Sequence, residues 1–412
     1  MALPSYPWSD YEQIPFQIEA QSQKRLDIQG SRRVNALPWR GQFSPELAEY
    51  LIGEFLTPGT IIDPFCGSGT TLVEAARLGS NGLGSELNPA AYLLSRVYEL
   101  AELSPDEIFG LCAELAAQVH ELELEAASFE RVVDWAESAA THREKVVRDA
   151  TLLLAAGNGS AIKPGKLSKS AAQVVQLLRS LTDIEADIEL HLGDARSLPI
   201  ESGSATGLLT SPPYINVFNY HQNYRPAVEA LGWGVLSSAK AEFGSNRKHR
   251  QNRFLTVIQY AQDIAQTLRE SARALAPGST AIWVVGRESR VRGVAMPNPL
   301  IVFEAATRSG EFKLLKKQER SFTSRYGQRV YEDVLIFQRT DSGETPRTIN
   351  VANLGREIGT QVLSSSLEVA ADARAEVESA LDDADRVLPS VIPEFTTPAS
   401  WSRMSSLSAL SA

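Results

Sequence analysis

Asp63-Pro64-Phe65-Cys66-Gly67-Ser68-Gly69-Thr70-Thr71 is the stretch that decides the fold. Ahead of its turn, Thr60 to Phe65 is a short apolar, β-branched run that reads as a buried parallel strand. Behind it, Thr70 to Leu78 reads as a helix that Gly79 ends. The glycines clear side chains from a place where a ligand can approach the backbone, and the helix start offers free N–H groups. A second strand, Gly82 to Leu87, follows, and another helix begins at Pro89. Strand, glycine turn, helix and strand make a βαβ unit of an α/β domain. The turn is not a triphosphate loop, because no Lys follows the second glycine, and its spacing is not the dinucleotide G-x-G-x-x-G.

Upstream, Phe43-Ser44-Pro45-Glu46 opens a helix, with Ser44 placed to cap and Pro45 suited to the first helical position. Residues 1–36 are polar and read as an irregular arm. Downstream, residues 103–182 are rich in Ala, Leu, Glu and Gln and read as a helical insertion broken by a loop from Gly157 to Gly165. Strands resume at Ile188–Leu192, Thr206–Thr210 and Gly278–Val285, with helices over Phe254–Leu275 and Pro299–Thr307. Phe312–Phe322 and Val330–Gln338 read as a closing antiparallel pair. The expected organisation is thus an arm (1–36), a main domain (37–340) and an acidic tail (341–412). The tail reads as one amphipathic helix, Gly359 to Val387, and a Ser/Pro-rich end expected to be partly disordered.

Composition narrows the class. The 412 residues are 43% hydrophobic, with 27 Gly and 21 Pro, which excludes a disordered or collagen-like chain. No window approaches the roughly eighteen consecutive apolar residues of a spanning helix, and the first residues do not read as a secretory signal. The 2 cysteines, Cys66 and Cys112, and 5 scattered histidines form no CxxC or HxxxH pair, so neither a disulfide framework nor a metal is expected. A reducing, cytoplasmic setting follows. The net charge of −10 is uneven: Ser245–Val330 holds 16 Lys or Arg against 6 Asp or Glu, whereas Asp341–Ala412 holds 5 against 11. A basic block inside an acidic chain either attracts phosphate or is simply a solvated surface.

Three carboxylates and a proline pair give the chemistry. Glu86, ending the second strand, stands where an acidic residue accepts from ribose hydroxyls. Asp194, ending the third strand, could accept from an adenine amino group, while Asp63 precedes the turn. Adenosine held without a phosphate-gripping loop fits S-adenosylmethionine. Thr210-Ser211-Pro212-Pro213-Tyr214 ends the fourth strand on the same sheet edge. Its prolines offer no N–H but fix the backbone and leave carbonyls free. An exocyclic amino nitrogen is a poor nucleophile because its lone pair is delocalised into the ring. Accepting its protons with Ser211 Oγ and the Pro212 carbonyl would localise that pair, with Tyr214 as a stacking face. A base inside a duplex would have to be flipped out to reach this place.

Together the two motifs resemble those of the exocyclic-amino DNA methyltransferases, which methylate adenine N6 or cytosine N4. The resemblance covers about Leu37 to Arg339. It implies a class I methyltransferase fold, a seven-stranded, mostly parallel, doubly wound Rossmann-like sheet. It places Phe43, Asp63, Pro64, Phe65, Gly67, Gly69, Thr70, Glu86 and Asp194 around S-adenosylmethionine, and Ser211, Pro212, Pro213 and Tyr214 around the base. The Ser form of the tetrapeptide, preceded by Thr, is similar to the cytosine-N4 enzymes, so the implied reaction is N4 methylation of cytosine in duplex DNA. The implied setting is restriction–modification or phage defence, beside a cognate restriction nuclease. Adenine N6, an RNA amino group, or a subunit that needs a second chain are the alternatives. Two departures stand out. The glycine turn has a wording associated with the opposite motif order, and no conventional target-recognition domain follows Arg339. Base reading would then fall to Asn219, Tyr220, Tyr224 and Arg225, and phosphate contact to Arg247, Lys248, Arg250 and Arg253. A polar loop and a solvated helix start are the competing readings of those two segments.

Overall fold

A computed structural model describes residues 4–28, 35–216, 219–245, 249–324, 327–340 and 349–401. Its strands are β1 (Thr60–Asp63), β2 (Asn81–Glu86), β3 (Ile188–Leu192), β4 (Ala205–Thr210), β5 (Leu275–Gly286), β6 (Ser289–Val291), β7 (Val294–Met296), β8 (Phe312–Thr323) and β9 (Arg329–Arg339). Seven of them form one sheet in the order β3-β2-β1-β4-β5-β9-β8, and β6 and β7 make a separate small pair. The pairs β2–β3, β1–β2, β1–β4 and β4–β5 are parallel, whereas β9 lies antiparallel between β5 and β8. That order and that single hairpin are the class I methyltransferase arrangement. The chain reverses direction of winding between β1 and β4, and ligands of open α/β sheets sit at the carboxyl ends of strands at such a point.

The β-branched and apolar strands bury both faces, and the period of two sorts their side chains. Ile61, Leu209, Ile282 and Val284 pack on one face against Leu47, Tyr50 and Leu51 of α2 (Pro45–Phe55), behind the arm helix α1 (Ala20–Leu26). Ile62, Leu208, Ala281 and Trp283 point to the other face. The first glycine turn feeds α3 (Thr70–Arg77), and Asn88 caps α4 (Pro89–Ser95) by accepting from the Ala90 N–H.

The insertion is built from α5 (Pro105–Leu124), α6 (Phe129–Glu137), α7 (His142–Ala156) and α8 (Lys166–Arg179). Its helix α7 is buried from Lys145 to Ala156, including the ion pair Lys145–Asp149 at 2.6 Å. After β4 come α9 (Arg225–Ala230), α10 (Val235–Ala241) and α11 (Leu255–Ala274), then α12 (Asn298–Arg308) between β7 and β8.

Arm and tail depart from the expectations. The arm is not loose: Tyr6 and Tyr11 are buried, and the Tyr11 hydroxyl donates to Asp333 Oδ2 at 2.5 Å. The described residues of the tail hold two α-helices rather than one, α13 (Val351–Ser366) and α14 (Arg374–Asp382). α13 packs closely along α11, because Gly355 and Gly359 carry no Cβ. One added there would sit 2.5 Å from the Ala261 carbonyl and 2.7 Å from Ile258 Cα. Residues 341–348 and 402–412 of the expected tail lie outside the described residues. Among the described residues, no helix is long and apolar enough to cross a membrane.

Candidate cofactor and base site

The carboxyl ends of β1, β2, β3 and β4 open into a cavity whose empty space, with the solvent at its mouth, is about 920 Å³. Of the residues expected around a cofactor, Phe43, Asp63, Pro64, Phe65, Gly67, Thr70, Glu86 and Asp194 line it. Gly69 does not. It is the residue before α3, at φ +83°, where an added Cβ would lie 2.9 Å from the Tyr98 ring. Its work is to shape the turn.

Each carboxylate is held by the backbone around it. Asp63 Oδ1 accepts from Thr210 Oγ1 at 2.5 Å and from the Phe65 N–H at 3.0 Å. Glu86 accepts from the Gly67 N–H at 2.8 Å and the Asn88 N–H at 2.7 Å, so it ties the glycine turn to the end of β2. Removal from water pushes the Asp63 carboxyl up to about 6 and the Glu86 carboxyl up to about 7. Asp194 is 4% exposed and takes three bonds from Arg196: the N–H at 2.9 Å and Nε at 2.8 Å on Oδ1, and Nη2 at 2.7 Å on Oδ2. A carboxylate offers about four lone-pair sites, so one acceptor position remains, on Oδ2. Burial raises the Cys66 thiol well above its ordinary range, which suits a small filler and not a nucleophile.

Sequence reasoning missed much of the wall. Trp39, Glu242 and Phe243 also line the cavity. Trp39 stacks on Tyr220 at 6.2 Å and on Tyr224 at 6.4 Å, with interplanar angles of 18° and 11°. Glu242 accepts from the His221 backbone N–H at 2.7 Å and contacts its ring Nδ1 at 2.9 Å, which fixes the neighbour of Tyr220. The Leu37-Pro38-Trp39 run was the one local hint; nothing near Glu242 in the sequence marks it.

The tetrapeptide divides. Ser211 and Pro213 line the cavity, whereas Pro212 and Tyr214 do not. The Tyr214 ring lies against Gly286 at the end of β5, and its hydroxyl donates to Glu332 Oε1 at 3.0 Å. The following loop is pinned by Asn298, which accepts from the Ile215 N–H at 3.2 Å and donates to the Gly286 carbonyl at 2.9 Å. Of the expected readers, Tyr220 faces the cavity, Tyr224 is held through its hydroxyl on the Pro38 carbonyl at 3.1 Å, and Arg225 pairs with Glu229 at 2.8 Å. Asn219 keeps a buried Oδ1 with no hydrogen-bond partner.

Arg250 and Arg253 are exposed, and Arg247 and Lys248 lie outside the described residues. The basic block is largely neutralised within the fold. Arg287 pairs with Glu319 and Asp333, Arg320 with Glu332, Arg269 with Glu311, and Arg308 with Glu357.

The cavity fits S-adenosylmethionine. Glu86 can take ribose hydroxyls, and Asp63 and the spare position on Asp194 suit amino groups. Arg40 is the one cation among the described residues that line it, so a polyphosphate has no counterpart here.

Comparison with known proteins agrees with this geometry. A family profile described as DNA methylase, of the N6/N4 class, matches residues 11–96. The type II methyltransferase M.MjaII of Methanocaldococcus jannaschii is 43% identical over 61 residues, which is 15% of this chain and 12% of that protein. M.BsoBI of Geobacillus stearothermophilus, also a type II methyltransferase, is 34% identical over 119 residues, 24% of this chain and 23% of that one. The chain thus matches less than a quarter of the length of these relatives. Among solved structures, an S-adenosylmethionine-dependent methyltransferase from Methanosarcina mazei aligns over 70% of this chain and 97% of its own, at 14% identity and a TM-score of 0.35. TrmN from Thermus thermophilus aligns over 73% and 50%, at 16% and 0.33. The fold class rests on the strand order itself. Profile and curated relatives agree on one family, the exocyclic-amino (N6/N4) DNA methyltransferases, and the matched profile spans the strand, glycine turn and Glu86 that border the cavity.

Proposed function

We propose that this chain transfers a methyl group from S-adenosylmethionine to cytosine N4 of a base flipped out of duplex DNA. The observation that carries the reading is that Ser211 and Pro213 share one cavity with Asp63, Gly67, Glu86 and Asp194. A methyl acceptor held by the tetrapeptide would therefore meet the cofactor without any rearrangement of the sheet. The cofactor supplies an electrophilic methyl on a sulfonium. The chain's own residues do the rest. Ser211 Oγ accepts an amino proton and localises the nitrogen lone pair, while Pro212, outside the cavity wall, fixes the backbone between Ser211 and Pro213. Tyr214 is fixed by Glu332 at the flank of the tetrapeptide, and Asn298 holds the loop behind it. In-line positioning supplies the main acceleration.

Exposed Arg250 and Arg253 are proposed phosphate contacts, and Asn219 and Tyr220 are proposed base contacts. Both named relatives are type II methyltransferases, and protection of DNA beside a restriction nuclease is the proposed setting. The test is transfer of labelled methyl from S-adenosylmethionine to unmethylated duplex DNA, with digestion to nucleosides and a parallel Ser211→Ala variant. Label on cytosine N4 that disappears in the variant is expected. Label on adenine N6 would move the substrate and keep the mechanism. Cofactor binding with no label on DNA would refute the reading.

A further inference from the structure

The segment that follows α14 is tied to the adenine end of the cavity at one end and to the helical insertion at the other. Val387 and Leu388 carbonyls accept from Gln262 and Gln259 of α11 at 3.1 and 2.9 Å. Ser390 then donates its N–H to Asp263 Oδ1 at 2.8 Å and its hydroxyl to Asp263 Oδ2 at 2.5 Å. The Arg196 guanidinium closes this knot. It donates to Asp263 Oδ1 at 2.9 Å, to the Ser390 carbonyl at 2.6 Å and to the Val391 carbonyl at 3.1 Å, while also holding both oxygens of Asp194. It lies 5.1 Å over the ring of Phe243, which lines the cavity.

The far end is fixed by Trp401, which is 2% exposed. Its Nε1 donates to Asp149 Oδ2 at 3.0 Å, Arg96 lies 4.5 Å over its ring, and Trp233 packs edge-on at 6.2 Å. Between these anchors little apolar surface is buried: Val391 and Ile392 are each 58% exposed.

From this we infer that residues 387–401 act as a positioning strap for the cofactor's adenine, with Trp401 as its anchor and Arg196 as the link to Asp194. The inference rests on the cofactor reading above. The physical argument is one of valence. Three of the roughly four acceptor sites on Asp194 are taken by Arg196, so the direction of the remaining one is set by where Arg196 sits. Arg196 in turn is placed by Asp263 together with the carbonyls of Ser390 and Val391. Loosening the strap lets the guanidinium rotate, and the spare lone pair on Asp194 Oδ2 loses its aim at the adenine amino group. Trp401 and Ser390 are positioning residues, since neither lines the cavity.

The test compares two ligands on the full chain by calorimetry: S-adenosylhomocysteine, and its deaminated analogue S-inosylhomocysteine, which lacks the amino group. Wild type is expected to prefer the amino ligand by roughly tenfold to a hundredfold, as for a hydrogen bond to a charged acceptor. Trp401→Ala is expected to narrow that ratio by about threefold or more, and Trp401→Phe to restore part of it. Loss of packing alone would weaken both ligands equally and leave the ratio unchanged, which would overturn the inference. Should Trp401→Ala not fold, Ser390→Ala removes a single hydroxyl from the knot and is read in the same way. A wild-type protein that binds both ligands equally would overturn the role given to Asp194, and the strap's with it. One that binds neither would instead overturn the cofactor reading itself.

Discussion

A methyl group placed on Gly286 would strike the tetrapeptide without touching the cofactor. An added Cβ there would lie 2.5 Å from Tyr214 Cε2, 2.8 Å from Cζ and 2.9 Å from Cδ2. Ordinary carbon contacts are about 3.5–4.0 Å, so one partner must give by about 1 Å. The strand cannot, because Gly286 is in register with Glu332 and the Arg287 N–H donates to the Tyr331 carbonyl at 3.0 Å. The ring must move, and its hydroxyl is drawn away from Glu332, now 3.0 Å distant. A displacement of about 1 Å in a positioning group costs about a hundredfold in rate. Gly286→Ala is therefore expected to lower methyl transfer to DNA by that order while S-adenosylhomocysteine binds as before, since neither Gly286 nor Tyr214 lines the cofactor cavity. The assay is single-turnover transfer of labelled methyl, with binding followed separately by calorimetry. Transfer within about threefold of wild type, in a folded variant, would refute the role given to Tyr214.

The cofactor end makes a pH prediction. Glu86, with its carboxyl pushed up to about 7 by removal from water, accepts from ribose most strongly when ionised, so affinity falls as pH drops through that value. Between about pH 8 and about pH 6 the affinity for S-adenosylhomocysteine should drop about tenfold, and Glu86→Gln should flatten the profile. Gly69→Ala forces a left-handed backbone onto alanine, about 1–2 kcal/mol, and drives a Cβ into Tyr98, about 1–3 kcal/mol more. Its urea midpoint should fall with an unchanged slope. Exchanging exposed Arg250 or Arg253 for Glu should weaken DNA binding regardless of sequence and lower the salt slope by about 1 per contact; an unaltered slope would remove them from the interface.

The central sheet was legible because its signals are local. Ile61-Ile62, the glycines after Phe65 and the alternation of Leu208 with Leu209 act over a few residues, and the closing hairpin falls where its β-rich runs lie. The tail was misread for the same reason. Leu367 to Ala373 contains no Pro or Gly, so nothing in it announces the break between α13 and α14. The arm hid its role because Tyr11 meets Asp333, and Lys317 meets the Tyr11 carbonyl at 2.7 Å, only after the sheet has formed. The charge of the basic block was visible, but its partners were not: Arg287 finds Glu319 and Asp333 across strands. In the site, the carboxylates could be named from their strand ends, whereas the hold of Arg196 on Asp194 involves Asp263 and Ser390, far along the chain.

Both margins of the sheet are closed by parts of the chain that have no place in the cavity. Along β8 the Gln17 N–H donates to the Lys317 carbonyl at 2.8 Å, Gln23 Nε2 to the Glu319 carbonyl at 3.0 Å, and the Ser321 N–H to Asp27 Oδ1 at 2.5 Å. At β3 the Leu190 N–H donates to Glu99 Oε1 at 3.0 Å. Bare strand edges are templates on which a second chain can add its own strand. A chain that lacks only residues 1–36 would keep all seven strands and every residue that lines the cavity, yet it would lay β8 open. Such a fragment should self-associate edge to edge and come out of solution as its concentration rises, which makes the arm a guardian of the sheet's solubility.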